Sequence, residues 1–215
     1  MKYRGAIFDL DGVLVDTAKY HYLAWKTIAD RLGFSFSLKD NERLKGVSRM
    51  RSLDILLEVG NMEGRFTERE RASLAEEKNK KYVEYISNMD SSEILPGVLN
   101  ILTVLKKKGV KTALGSASKN SSLILKSLSL EKYFDVIIDG NSVSKAKPDP
   151  EVFAAGAKAL GENYEDCVVF EDSEAGLMAA SGIKMHAVGI GLRENLPSAD
   201  EVYSGFEAFP TDKYF

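Results

Sequence analysis

The sequence predicts an α/β fold: a Rossmann-like core built on a parallel sheet, with an all-helical domain inserted into it. Three features predict this. From about residue 92 onward, short apolar runs alternate with amphipathic helical patterns, as strand–helix–strand units require. Between residues 17 and 91 helical patterns recur with no convincing strand between them. The apolar run at residues 3–8, ahead of that helical stretch, suits one more strand of the same sheet.

Taken in order, residues 3–8 form the first strand, and the chain then crosses into the helical domain. There Ala24, Trp25, Ile28 and Leu32 mark one helical stripe, which stops before Gly33. Thr67 followed by Glu70 is a capping-box pattern that opens a helix running to about Ser87. The expected domains are therefore 1–16 with 92–215 for the core and 17–91 for the helical cap, with hinges near Asp16 and Ser91. Beyond the second crossing, Val98, Ile101, Leu102 and Leu105 form the stripe of a helix that Gly109 can cap. Residues 110–115 read as a strand, 121–128 as a helix and 136–138 as a strand. Residues 150–160 form a helix that opens on Pro150, since proline suits a first helical turn. Residues 167–170 are a buried strand, Ser173 can cap a helix to about Ser181, and 185–189 close the pattern as a strand. The chain then ends at Phe215 in a weak helical pattern.

Composition narrows the function. With 215 residues, 44% of them hydrophobic, the chain can bury one good core and something smaller beside it. Its net charge of −3 is spread along the sequence, and no concentrated basic face exists for nucleic acid. The run Lys106, Lys107 and Lys108 ends a helix, where cations suit the dipole. One cysteine, Cys167, excludes an internal disulfide; within its apolar run it reads as a buried structural thiol. No stretch approaches the roughly 20 apolar residues of a membrane span, and the N-terminus lacks a signal peptide's apolar length. A cytoplasmic protein is expected, without membrane or nucleic-acid partners. With no strong dimerisation signal, monomer is the default.

In an open parallel sheet, ligands bind beyond the carboxyl ends of the strands. Asp9, Asp11 and Gly12 follow the first strand, and Ser116 follows the strand at 110–115. Lys145 and Lys147 follow the strand at 136–138, and Glu171 and Asp172 follow that at 167–170. Four acids, a hydroxyl and at least one ammonium group at one rim are the parts phosphoryl transfer needs, because that reaction rests on positioning and charge neutralisation. One of Asp9 and Asp11 can attack phosphorus while the other moves a proton. Clustered carboxylates repel one another unless a cation lies between them, and Mg²⁺ suits an all-oxygen site.

The segment Asp9–Asp16, then Ser116, Lys147–Pro148 and Glu171–Ser173, resembles the four signature motifs of the haloacid dehalogenase superfamily, in the right order and over most of the chain. The resemblance implies that Asp9 is the nucleophile and that Asp11 is the general acid/base. Mg²⁺ would be held by Asp9, Asp11 (through its main-chain carbonyl), Glu171 and Asp172, and the phosphoryl group gripped by Ser116 and Lys147. Lys147 is preferred to Lys145 because the family lysine directly precedes proline.

The helical segments 17–26 and 44–49, Lys78 with Asn79, and 116–120 are similar to those of the superfamily's hexose-phosphate mutases. Such enzymes interconvert β-glucose 1-phosphate and glucose 6-phosphate through a bound bisphosphate. The resemblance then implies that His21 couples Asp11 to a sugar hydroxyl, that Arg49 binds the non-reacting phosphate, and that Lys78 fastens the closed cap. Thr17, Trp25, Lys45, Gly46, Val47, Ser48, Ser52, Ala117, Ser118 and Asn120 complete the implied substrate site. Other readings stand beside these. His21 lies on an apolar stripe and suits a core histidine, Trp25 suits cap packing, Ser173 suits a helix cap and His186 suits structure. A sugar-phosphate phosphatase, with water as acceptor, would keep the same core residues.

Overall fold

The computed structural model describes residues 2–215. The chain runs β1 (Gly5–Phe8), α1 (Ala18–Leu32), α2 (Leu38–Glu42), α3 (Arg49–Val59), α4 (Glu68–Ile86), α5 (Val98–Lys108), β2 (Lys111–Gly115) and α6 (Ser121–Ser127). It continues β3 (Val136–Ile138), α7 (Glu151–Leu160), β4 (Cys167–Glu171), α8 (Glu174–Ser181), β5 (His186–Ile190), β6 (Glu201–Tyr203) and α9 (Thr211–Tyr214). The six strands form one sheet in the order β3-β2-β1-β4-β5-β6, and every pairing is parallel. Phe8 pairs with both Leu114 and Phe170, so β1, β2 and β4 end level with one another. The strand order reverses between β1 and β4, which opens a crevice at their carboxyl ends.

Alternation along the central strands gives each sheet face its own core. Phe8, Leu114 and Phe170 point to one side and pack with Leu102 and Leu105 of α5. The Phe8 and Phe170 rings stack with centroids 4.7 Å apart. Ile7, Ala113 and Val169 point to the other side, against Phe153 of α7 and Leu177 of α8. Each large side chain buried in this way contributes roughly 1.5–3 kcal/mol. Cys167 belongs to the second core, and burial pushes its thiol up to about 12, an inert structural sulfur as expected.

The helices α1–α4 have a third core of their own, which includes Trp25, Ile28, Leu53, Leu56 and Leu74. The Thr67 capping box is present: the Thr67 N–H donates to Glu70 Oε2 at 2.8 Å and the Glu70 N–H returns to Thr67 Oγ1 at 3.3 Å. Gly33 and Gly109 close α1 and α5 in the left-handed conformation, as their sequences predict.

The two crossings between sheet and helices lie side by side. The Asp16 N–H donates to Glu93 O at 2.8 Å and the Leu95 N–H to Leu14 O at 3.0 Å. The Glu93 carboxylate accepts from the Tyr20 hydroxyl at 2.6 Å and pairs with Lys19 at 2.7 Å, both at the start of α1. The Tyr20 and Tyr85 rings stack at 5.8 Å, joining α1 to the end of α4.

The structure differs from the sequence reading mainly at the chain's end. β6 was not anticipated, because three half-buried residues are too few to show a period. The weak helical ending is a single short helix, α9. Pro150 caps α7 from outside rather than opening its first turn.

Candidate active site

Asp9 is the first residue beyond β1, and its N–H extends the ladder by donating to Phe170 O at 2.9 Å. Its carboxylate meets a buried lysine from the loop after β3. Lys147 Nζ donates to Asp9 Oδ1 at 2.6 Å and to Glu171 Oε1 at 2.5 Å, and it lies 4.8 Å from the centre of the Phe153 ring. Glu171 Oε2 in turn accepts the Ser173 N–H at 2.7 Å and the Ser173 hydroxyl at 2.9 Å. Burial pushes the Asp9 carboxyl well above the usual carboxylate range, against the pull of Lys147. Burial alone would lower the Lys147 ammonium, but Asp9 and Glu171 more than offset it and hold that pKa above the ordinary lysine value. Lys145 is the exposed lysine of this loop and pairs with Asp149 at 3.2 Å, so Lys147 is the one placed at the rim.

Asp172 lies beside this pair. Burial first, and Glu171 next, raise its carboxyl to about 7, despite Lys45 Nζ at 3.4 Å. Asp9, Glu171 and Asp172 each bring one carboxylate oxygen within 4.8 Å of the others. Three carboxylates this close, two of them pushed toward protonation, are a donor set that a hard divalent cation would relieve. Two glycines permit the approach. At Gly12 (φ +79°) a Cβ would collide with the Asp172 carboxylate, and at Gly46 (φ +70°) with the Ser173 hydroxyl. Gly46 thus brings helical-segment backbone against the sheet rim.

Asp11 faces away from that cluster, toward the helices. Its Oδ1 accepts from the Thr17 hydroxyl and, at 3.4 Å, from the Tyr82 hydroxyl, with His21 Nε2 at 3.7 Å. These contacts, those from His21 first, outweigh burial and hold the Asp11 carboxyl below its ordinary value. Lys78 Nζ lies 2.9 Å from His21 Nδ1, and burial, with Arg49 adding to it, lowers Lys78 to about 7. A protonated Lys78 can only donate, which makes Nδ1 the acceptor and places the imidazole proton on Nε2, toward Asp11. The His21 ring rests on Tyr82 at 4.1 Å, and Lys78 sits 4.5 Å over the same tyrosine.

Sheet rim and helices enclose a cavity of about 530 Å³. Asp9, Asp11, Lys147 and Asp172 reach it from the core, with Ala117, Ser118 and Asn120. His21, Trp25, Lys45, Gly46, Val47, Ser48, Arg49, Ser52 and Lys78 line it from the helices. The hydroxyl of Ser48 also caps α3 by accepting from the Arg51 N–H at 3.2 Å. Arg49 Nη2 donates to Asn79 Oδ1 at 2.8 Å, and Asn120 Nδ2 donates to the same oxygen at 3.0 Å, so one amide links helical wall to core wall. Ser116 is buried at the rim; its Oγ accepts the Ser118 N–H at 3.1 Å and keeps its own proton for another acceptor. Thr17 is wholly buried behind Asp11.

Sequence reasoning overlooked Tyr82 and Asn41, both of which line the cavity. Tyr82 lies four residues after Lys78 on α4, so projecting one helical turn from Lys78 would have found it.

Known proteins resemble this chain over most of its length. It is 41% identical to the β-phosphoglucomutase of Bacillus subtilis over 93% of this chain and 88% of that one. It is 34% identical to a phosphorylated carbohydrates phosphatase of Thermotoga maritima over 81% and 78%. The crystal structure of β-phosphoglucomutase from Clostridium difficile superposes with a TM-score of 0.93 at 42% identity, covering 98% of this chain and 95% of that one. The model of the haloacid dehalogenase-like hydrolases matches residues 3–183. With the carboxylates, serine and lysine gathered at one sheet rim, these likenesses place the chain in the haloacid dehalogenase-like hydrolase family.

Proposed function

We propose that this enzyme is a β-phosphoglucomutase, interconverting β-glucose 1-phosphate and glucose 6-phosphate through a phosphorylated Asp9 and a bound glucose 1,6-bisphosphate. The observation that carries the reading is a cavity with cationic groups on opposing walls: Lys147 beside Asp9 on the core, and Arg49 with Lys78 on the helices. A bisphosphate needs one phosphate held while the other reacts, and Arg49 offers a planar fork for the held one. The 41% identity to a β-phosphoglucomutase over most of the chain supports the same reading.

Asp9 Oδ would attack phosphorus as the sugar oxygen leaves opposite it, and Asp11 would give that oxygen a proton. In the return step Asp11 takes the proton of the accepting hydroxyl and the Asp9–phosphorus bond breaks. Lys147 and Ser116 would hold the non-bridging oxygens, and His21, fixed by Lys78, would orient Asp11. Mg²⁺, held by Asp9, Asp172, the Asp11 main-chain carbonyl and Glu171, would supply charge neutralisation at the transferring group. Residues 17–91 would act as a cap whose closure keeps water from the phosphorylated Asp9. The enzyme would work as a cytoplasmic monomer on this small-molecule substrate.

The test is a time course with β-glucose 1-phosphate, Mg²⁺ and a trace of glucose 1,6-bisphosphate, following glucose 6-phosphate and free phosphate together. Glucose 6-phosphate without phosphate release is expected. Rapid phosphate release would instead make the protein a sugar-phosphate phosphatase, the activity of the T. maritima relative's name. Asp9→Asn should abolish either activity while leaving the fold intact.

A further inference from the structure

Asn41 is a buried amide that the fold leaves unused. It lies in α2, 5% exposed, on the helical wall of the cavity. Its main chain is fully bonded: the N–H donates to Ser37 O at 3.1 Å and the carbonyl accepts from the Leu44 N–H at 2.9 Å. The side-chain carbonyl oxygen, by contrast, is buried with no hydrogen-bond partner. The apolar side chains of the same helical core include Phe36, Leu44 and Trp25, and a leucine here would add to that core without burying an amide. Among the described residues, the other side-chain atoms left this way are Arg71 Nε and His186 Nε2, and neither residue borders the cavity. The oxygen is sealed from the cavity, whereas the NH₂ keeps some exposure and makes no hydrogen bond within the protein. A polar residue that costs stability here thus has its open end on a ligand cavity, which points to a ligand contact.

The chemistry of the amide selects which part of the ligand it meets. Arg49 and Lys147 already supply the cavity with positive charge for phosphates. A neutral amide cannot neutralise a phosphate, but its NH₂ donates to a hydroxyl as it stands and its oxygen, after a turn about χ2, accepts from one. We propose that Asn41 reads a hydroxyl of the sugar ring and is a specificity-determining residue for the hexose. The proposal rests on the sugar-phosphate reading of the cavity.

The test is equilibrium binding by titration calorimetry to the Mg²⁺-loaded Asp9→Asn protein, where turnover is silent and the acceptor question does not enter. Adding Asn41→Ala should weaken glucose 6-phosphate binding about tenfold and change inorganic phosphate binding by less than about twofold. Among monodeoxy analogues of glucose 6-phosphate, one should bind the two proteins alike, because it lacks the hydroxyl that Asn41 reads. Asn41→Leu should melt at or above the temperature of the parent, since it removes an unpaired buried amide. Unchanged sugar-phosphate affinity, an equal loss for inorganic phosphate and every analogue, or a clear fall in the melting temperature of Asn41→Leu would overturn the proposal alone. Failure of every hexose phosphate to bind the Asp9→Asn protein would overturn the sugar-phosphate reading and this proposal with it.

Discussion

On the sheet side of the cavity, the charges of Asp9, Lys147 and Glu171 each meet a partner at 2.5–2.6 Å, and Ser173 completes Glu171. On the helical side, Arg49 has one close partner in Asn79, Lys78 is pushed down to about 7, and the Asn41 oxygen has no partner at all. The difference follows from how each wall is held. Asp9 and Glu171 sit at the ends of neighbouring strands whose register fixes them, and Lys147 reaches both from the loop after β3. These three are therefore paired before any ligand arrives, and only the carboxylate cluster with Asp172 awaits a cation. The helical wall rests on its own core and leaves groups ready for a ligand to satisfy.

The sharpest way to break this contrast is to cut the complete side. Lys147→Met leaves Asp9 and Glu171 buried without their shared cation. It should lower activity by about 10³-fold or more and cost about 3–5 kcal/mol of stability in metal-free protein, read by urea unfolding. A loss no larger than that of a surface lysine would mean the rim is not a closed network. On the helical side, Arg49→Lys should raise KM for the hexose phosphate about tenfold and leave the fold stable, because a point charge replaces a planar fork. Equal losses of stability for Arg49→Lys and Lys147→Met would erase the distinction.

Lys78 tests the same contrast through pH. Its native pKa of about 7 lies below the ordinary 10.5, so between those values the unfolded chain holds a proton that the native lysine has released. Stability of the ligand-free protein should therefore rise with pH across about 7 to 10, and Lys78→Met should flatten that rise. An unchanged slope in urea unfolding at pH 7, 8 and 9 would show that Lys78 is not the group responsible. The smallest effect is expected at the crossings. Glu93→Gln weakens the contacts to Lys19 and Tyr20 and should lower the melting temperature by about 2–4 °C, with phosphorylation of Asp9 by a small donor unaffected.

The same contrast explains what the sequence could disclose. Asp9, Ser116, Lys147, Glu171 and Asp172 were legible because they follow apolar runs, and strand ends in a parallel sheet share one rim. The stripe from Val98 to Leu105 was legible because four buried residues hold the helical period. Asn41 and Tyr82 carry no such mark. An amide in a short helix reads as surface, and an aromatic inside a helix reads as core, until tertiary packing turns each toward the cavity. β6 escaped because its place at the sheet edge comes from pairing with β5 and not from its own pattern.

One feature of the first crossing ties access to reactivity. The Gly12 N–H donates to Val15 O at 2.9 Å, Asp11 bridges to Val15, and the Thr17 hydroxyl holds the Asp11 carboxylate. Asp11, the proton donor of the proposed mechanism, therefore sits in the very turn that carries the chain into the helices, and Tyr82 and His21 touch it from the helical side. Were the helices to swing away, those partners would leave Asp11, and the turn that aims it would flex with them. On the proposed mechanism, solvent would then reach Asp9 only when Asp11 is out of alignment, and a single backbone turn would serve as a clutch.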